Sequence, residues 1–315
     1  MSNVVVSRLG QVNLANDTDA LYLKVFGGEV LNSFNTACVY QDNHVTREIS
    51  AGKSAQFPAT GKINAAYHVP GTQLTGTPIA HNERVITIDD LLLANVFIAD
   101  IDEAKNHYDV RAEYTTQLGQ ALAVAYDKNV ARNGVLAARA AATITGQAGG
   151  TVIKGGVNLR TDPALIKAFL FASAQKLDEN DAPSDGRNAF VRPVTYYAAA
   201  ADTSLINKDW GGAGSLASGK IETLAGISLV KTNNLPNSNE TAVEGVPSKY
   251  LGDFSKTAIN VFHRGAVGTV RLMNLSMQSE YLSLWQATNL VARYAVGHGI
   301  LRPELSIEGS AEAAE

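Results

Sequence analysis

The sequence predicts an α+β fold, and three observations carry that reading. A polar stretch from about His44 to Val85, punctuated by glycine and proline, has the pattern of a long β-hairpin with too few large aliphatics to bury both faces. Helical periodicity from residue 101 to about 132 describes a rod on the order of 45 Å long at 1.5 Å per residue, more than a compact lobe needs. A second α+β lobe over 183–256 is inserted before apolar strand-like segments return.

Residues 1–18 are polar with scattered valines and read as an extended arm, and the arm region as a whole spans 1–43. Within it, Tyr22, Leu23, Phe26, Val30 and Leu31 fit a helical stripe, weakened by Gly27-Gly28. In 44–84, Val45, Arg47 and Ile49 alternate with Thr46, Glu48 and Ser50, and Gly52, Pro58, Gly61, Pro70, Gly71, Gly76 and Pro78 set turns. Such a projecting arm needs a neighbour to rest on.

Arg84–Asp89 reads as the strand that returns the chain to a body spanning 85–182. The long helix follows, with Ala104, Tyr108, Ala112, Leu118, Leu122 and Ala125 on one stripe and Asp100, Asp102 and Glu103 at its positive end. Thr151–Ile153 is a short strand in an Ala- and Gly-rich loop. Asp162-Pro163 opens another helix as cap and first residue, with Leu165, Ile166, Phe169, Leu170 and Leu177 lining one side. Phe190–Val194 and Ile227–Val230 are the best strands of the inserted lobe. In 257–315, Ile259, Val261, Val267, Val270 and Leu272 mark the return, and a final segment runs from Leu284 to Leu301. Residues 306–315 carry only acidic charges and no aromatic, and are expected to be disordered.

Composition narrows the function. The chain is 45% hydrophobic over 315 residues, enough for a real core. No apolar stretch approaches the roughly 20 residues that span a bilayer, and residues 1–8 lack the pattern of a signal peptide. Cys38 is the single cysteine, which excludes an intrachain disulfide and reads as a small buried hydrophobe. A net charge of −4 argues against sequence-specific DNA binding.

Motifs of catalysis are thin. Gly52-Lys53-Ser54 lacks the phosphate-loop glycine five positions earlier, where Arg47 stands, so it reads as a turn with an exposed lysine. Gly297-His298-Gly299 reads as a turn histidine. The six histidines show no metal-ligand spacing. Asp89-Asp90 and Asp100-Ile101-Asp102-Glu103 fit capping and dipole compensation better than a cation site or an acid–base pair. No catalytic residue, cofactor or metal is expected.

Several long runs resemble the major capsid proteins of T-seven-like podoviruses. They are Leu21–Leu31; Ile49–Pro58 with Ala65-Ala66-Tyr67 and Pro70-Gly71; Val85–Asp89 leading to Asn106–Arg111 and Glu113-Tyr114-Thr115; and His263-Arg264 with Ala266–Val270, Tyr294-Ala295, Gly297-His298-Gly299 and Arg302-Pro303-Glu304. From 128 to 256 the likeness reduces to Gly226, Leu235-Pro236 and Gly252-Asp253-Phe254. The resemblance implies the Hong Kong-97 type capsid fold. The hairpin 44–84 would be its extended (E) loop, 85–182 and 257–315 its peripheral (P) domain with the spine helix, and 183–256 its axial (A) domain.

The same resemblance implies a major capsid protein assembled in the host bacterial cytoplasm into hexamers and pentamers of an icosahedral T=7 virion. A scaffolding protein and a portal protein at one vertex are its implied partners, and double-stranded DNA its content. Lys53, Gln56, Phe57, Tyr67 and Pro70 of the arm are the expected contacts between copies. An encapsulin-like compartment of the same fold is the first alternative, and a hydrolase using the acidic cluster with His107 the second.

Overall fold

The computed structural model describes residues 38–313 apart from 64, 66, 72, 74, 75, 77, 100, 102–110 and 203–222. The arm expected over 1–18, the stripe over 22–31 and the acidic start of the long helix lie outside the described residues.

In chain order come β1 (Val45–Glu48), β2 (Ser54–Thr60), β3 (His81–Thr87), β4 (Leu92–Ala99) and helix α1 (Arg111–Arg139). There follow β5 (Thr151–Lys154), α2 (Pro163–Glu179), β6 (Arg187–Val191), α3 (Pro193–Ala200), β7 (Thr223–Leu224), β8 (Ile227–Lys231), β9 (Asn239–Glu240) and β10 (Gly252–Asp253). β11 (Thr257–His263), β12 (Val267–Leu282), β13 (Ala287–Ile300) and β14 (Ser306–Ser310) complete the described chain. It forms two compact units: Met1–Gln41, Ile88–Asp127 and Arg271–Val296; and Asp42–Thr87, Lys128–Val270 and Gly297–Glu315.

In the first unit, β12, β13 and β4 lie side by side. β13 runs antiparallel to β4 from Ala287↔Ala99 to Tyr294↔Leu92. Alternate residues Leu290, Ala292 and Tyr294 are buried, as a strand with one covered face requires. On α1, Leu118, Leu122, Ala123 and Tyr126 are buried at spacings of three and four, and the Tyr126 ring lies 6.0 Å from that of Tyr294. Buried Asp127 accepts hydrogen bonds from the backbone N–H of Val39 (2.8 Å) and of Tyr40 (3.3 Å). β4, in which Asn95 interrupts an apolar run, was not among the strands expected from the sequence. The polar residue simply points outward at an exposed position while Ile98 points in.

The second unit is built on a six-stranded sheet in the order β5-β14-β11-β6-β8-β7. β11 is antiparallel to β14 and to β6, whereas β14–β5 and β6–β8 are parallel pairs. Helices cover both faces, so β6 and β14 are buried at every residue. On one face a Cβ at Gly134 of α1 would lie 2.4 Å from Asn260 Nδ2 and 3.0 Å from the Phe262 ring, which identifies a close approach that only glycine permits. On the other, Gly309 meets Phe169 of α2 in the same way, at 2.9 Å. Asp162 caps α2 by accepting from Ala164 N, with Pro163 at its start, as expected; Ile166, Phe169, Leu170 and Leu177 are buried.

Three expectations are corrected here. The long helix ends at Arg139 rather than near 132. Asn133-Gly134 is a weak helical pair by propensity, but both residues are buried against the sheet, and packing overrides propensity. Val194 lies in α3 and not in a strand, because β6 stops at Val191 and Pro193 opens the helix.

The third correction concerns residues 306–315, of which Ser306–Ser310 form β14 inside the sheet rather than a disordered tail. The strand's polar side chains all serve one face. Ser306 Oγ donates to Gly134 O at 2.8 Å, and the Glu308 carboxylate receives Arg139 Nε and Nη2, each at 2.6 Å, and Thr257 Oγ1 at 2.6 Å.

Candidate assembly surface

The arm grows out of the second unit as an antiparallel pair, β2 with β3, from Ser54↔Thr87 to Thr60↔His81. Strand alternation should give it one inner face, but only the neighbouring partners Ala55 and Ile86 at its root are buried. Beyond Thr60, Gly61 N donates to Ala80 O at 2.8 Å, and every described residue from 62 to 80 is exposed. Among them are large apolar side chains: Ile63, Val69, Ile79 and Tyr67, the last with 103% relative exposure. Each would gain about 1.5–3 kcal/mol by leaving water, and the arm's own chain gives them no cover.

The root is seated by glycines. A Cβ at Gly299 would come within 2.8 Å of Ile86 Cγ1, and one at Gly268 within 3.1 Å of Ile86 Cδ1. This explains Gly299 and corrects the reading of Gly297-His298-Gly299 as a turn. The motif lies within β13, where bare backbone receives the arm's anchoring side chain.

His298 is buried beside this seat. Its Nδ1 shares a 2.8 Å hydrogen bond with Thr269 Oγ1, and its backbone N–H donates to Tyr250 Oη at 2.9 Å. Burial, with His44 and Lys249 nearby, holds the imidazole pKa well below the ordinary histidine value, so it is neutral in the native state. The unfolded chain therefore binds more protons below about pH 6.5, and stability present above that value falls as pH drops toward the lowered native pKa. Urea unfolding of the subunit at pH 7 and pH 5.5 should show a loss of up to about 1.4 kcal/mol per pH unit from this group. His298→Gln should flatten that loss; an unchanged pH dependence in the variant would remove His298 from the account.

The expected contact residues occupy distinct positions. Lys53 is exposed beside Gly52, whose φ of +117° makes the turn before β2. Gln56 is exposed on β2 opposite Val85, and half-buried Phe57 sits opposite Arg84. The Arg47 guanidinium lies 5.6 Å above the Phe57 ring and donates from Nη1 to Gln56 O at 2.8 Å. Tyr67 and Pro70 belong to the exposed stretch beyond the strands, with Pro70 followed by Gly71 at φ +92°. The structure thus joins Gln56 and Phe57 on one strand and leaves Tyr67 and Pro70 farther out along the arm.

A cavity of about 300 Å³ at the arm's root has no signal in the sequence, because its walls come from six separated places in the chain: Val45, Phe57–Thr60, Arg84, Thr143 to Gln147, Gly265, and Leu301 to Glu304. Among the described residues no group of three or more His, Cys, Asp or Glu side chains is placed to hold a metal ion.

Comparison with known proteins identifies the architecture. Residues 56–309 match the family described as Gp10A-like major capsid protein. The major capsid protein of Escherichia phage T7 is 38% identical, covering 92% of this chain and 91% of the relative. That of Enterobacteria phage T3 is 35% identical, over 94% and 92%. The capsid of the cyanophage P-SCSP1u superposes with a TM-score of 0.81 at 42% identity over the whole of both chains. A virus-like particle from Pyrococcus furiosus reaches a TM-score of 0.55 at 14% identity over 89% of this chain and 95% of that one, a likeness of fold alone. The chain belongs to the Gp10A-like major capsid protein family and is a shell subunit of a T7-like phage with the Hong Kong-97 type fold.

Proposed function

We propose that the chain closes an icosahedral T=7 shell by laying its hairpin arm, residues 44–84, on an adjacent copy. In this reading the arm is the E-loop, 85–182 and 257–315 supply the P domain, and 183–256 the A domain clustered at hexamer and pentamer centres. Lys53, Gln56, Phe57, Tyr67 and Pro70 are the arm's contacts. Its work is assembly rather than catalysis. A scaffolding protein guides closure, a portal occupies one vertex, and double-stranded DNA fills the shell without sequence-specific contact, in keeping with a net charge of −4.

The observation that carries the reading is the exposed Tyr67 with Ile63, Val69 and Ile79 on an arm whose buried side chains, among the described residues, are confined to its root. A repeated heterologous contact of this kind sums over a closed surface without any one contact being strong. Deleting residues 52–72 should leave a subunit that still unfolds cooperatively, because among its described residues the segment adds only Ala55 to the buried core. Closed shells should vanish in electron micrographs of the protein co-produced with its scaffold. Normal shells from the deletion would refute the arm's role.

A further inference from the structure

We propose that the cavity at the arm's root is a socket for a carboxylate side chain of an adjacent copy, anchored by Arg84. The inference rests on the assembly reading above. Phe57, Ile144 and Leu301 give the cavity apolar walls, and its charged lining residues are Arg84, Arg302 and Glu304. Arg302 Nε and Glu304 Oε1 are paired at 2.8 Å, so two cations against one carboxylate leave one positive charge, that of Arg84, uncompensated.

Arg84 is half-buried on β3 and directs Nε (3.2 Å) and Nη2 (3.1 Å) at a single neutral oxygen, Thr143 Oγ1. That hydroxyl in turn donates to Leu301 O at 3.3 Å, so its lone pairs face the guanidinium. A guanidinium has five N–H donors in a planar fork whose best complement is a carboxylate held by two bonds. No carboxylate among the described residues pairs with Arg84. A half-buried charge without a counter-ion beside an apolar wall is costly, and a Glu or Asp with its aliphatic stem along Phe57 and Leu301 would satisfy charge and wall together.

The socket also has the right address. Arg84 is the cross-strand partner of Phe57, and exposed Gln56 and Pro58 flank that pair. A neighbour gripping the arm at its base would fill the socket, and the carboxylate would then set the arm's angle where Ile86 anchors it. The acids are available, since the chain carries 30 of them against 26 lysines and arginines.

The test uses the full chain co-produced with its scaffold, as wild type, Arg84→Gln and Arg84→Lys. The unassembled Arg84→Gln subunit should melt close to wild type, because Arg84 has no ion pair among the described residues. Its shell yield should fall about tenfold, with Arg84→Lys between the two. Wild-type shells should lose stability as salt is raised, and Arg84→Gln shells should lose that dependence. A density map of wild-type shells should place an Asp or Glu of a second copy within hydrogen-bond reach of the guanidinium, and this map decides the matter if Arg84→Gln does not fold. Unchanged yield and salt response in folded Arg84→Gln, or a map showing solvent, nucleic-acid phosphate or an apolar side chain in the socket, would overturn the proposal while leaving the assembly reading intact. A wild-type chain that forms no shells would overturn both.

Discussion

Replacing Glu308 by alanine should destabilise the subunit by about 3 kcal/mol, the low end of what breaking a buried ion pair costs. The carboxylate is 1% exposed and takes both Arg139 bonds and the Thr257 hydroxyl, so its removal strands a guanidinium and a hydroxyl together. The Arg139 side chain is 32% exposed, and water reaching it recovers part of the loss, which sets the estimate at the lower end. Arg139 Nη1 also holds Asp253 O at 2.6 Å, and its guanidinium lies 5.5 Å over the Phe254 ring. The single carboxylate thus orders the helix end, β14 and the turn before β11. Urea unfolding of the unassembled subunit measures the effect, and Glu308→Gln, which can still accept from Arg139, should lose less. A loss below about 1 kcal/mol for alanine would mean that the pair is not held in the native state.

Gly150→Ala should cost a comparable amount, about 3 kcal/mol, the upper end for overpacking. A Cβ there would stand 2.1 Å from Ala137 O and 2.5 Å from both the carbonyl carbon and the oxygen of Ala138. These are backbone atoms of the last turn of α1, and they cannot swing aside as a side-chain tip would. Gly150 N donates to Ala140 O at 2.9 Å, so moving the glycine away loses a bond that closes the helix end. Thermal melting of the variant subunit should fall by several degrees. Gly71→Ala is the control for overpacking: Gly71 is exposed on the arm with open space around it, and its φ of +92° leaves only local backbone strain. Equal melting of Gly150→Ala and wild type would show that the loop after α1 has room to retreat.

The sequence made the fold legible wherever local chemistry decided it. Asp162-Pro163 starts α2 because the cap and the proline act within one turn, and no distant contact is needed. Strand β3 was visible because Arg84–Thr87 alternates over a half-covered root. The misses share the opposite cause. β14 looks acidic and featureless until Arg139, 169 residues away in sequence, supplies the counter-charge that allows Glu308 inside. Gly299, beside His298, looks like a turn former until Ile86, more than 200 residues earlier in the sequence, fills the space it leaves. The arm was the most readable part of the candidate site because it folds by local pairing. The socket around Arg84 was unreadable because six places separated in the sequence converge only in space.

The position of β14 has a consequence for the order in which the subunit matures. β11 ends at His263, and the strand that covers its open side begins at Ser306, so translation proceeds for some 40 residues with that backbone ladder unpaired. At about 5–20 residues per second this is an interval of several seconds in which a nascent chain offers a sticky, hydrogen-bond-hungry edge. Two unfinished chains meeting in that interval could exchange strands at this edge, and the pairing of Ser306–Ser310 closes it.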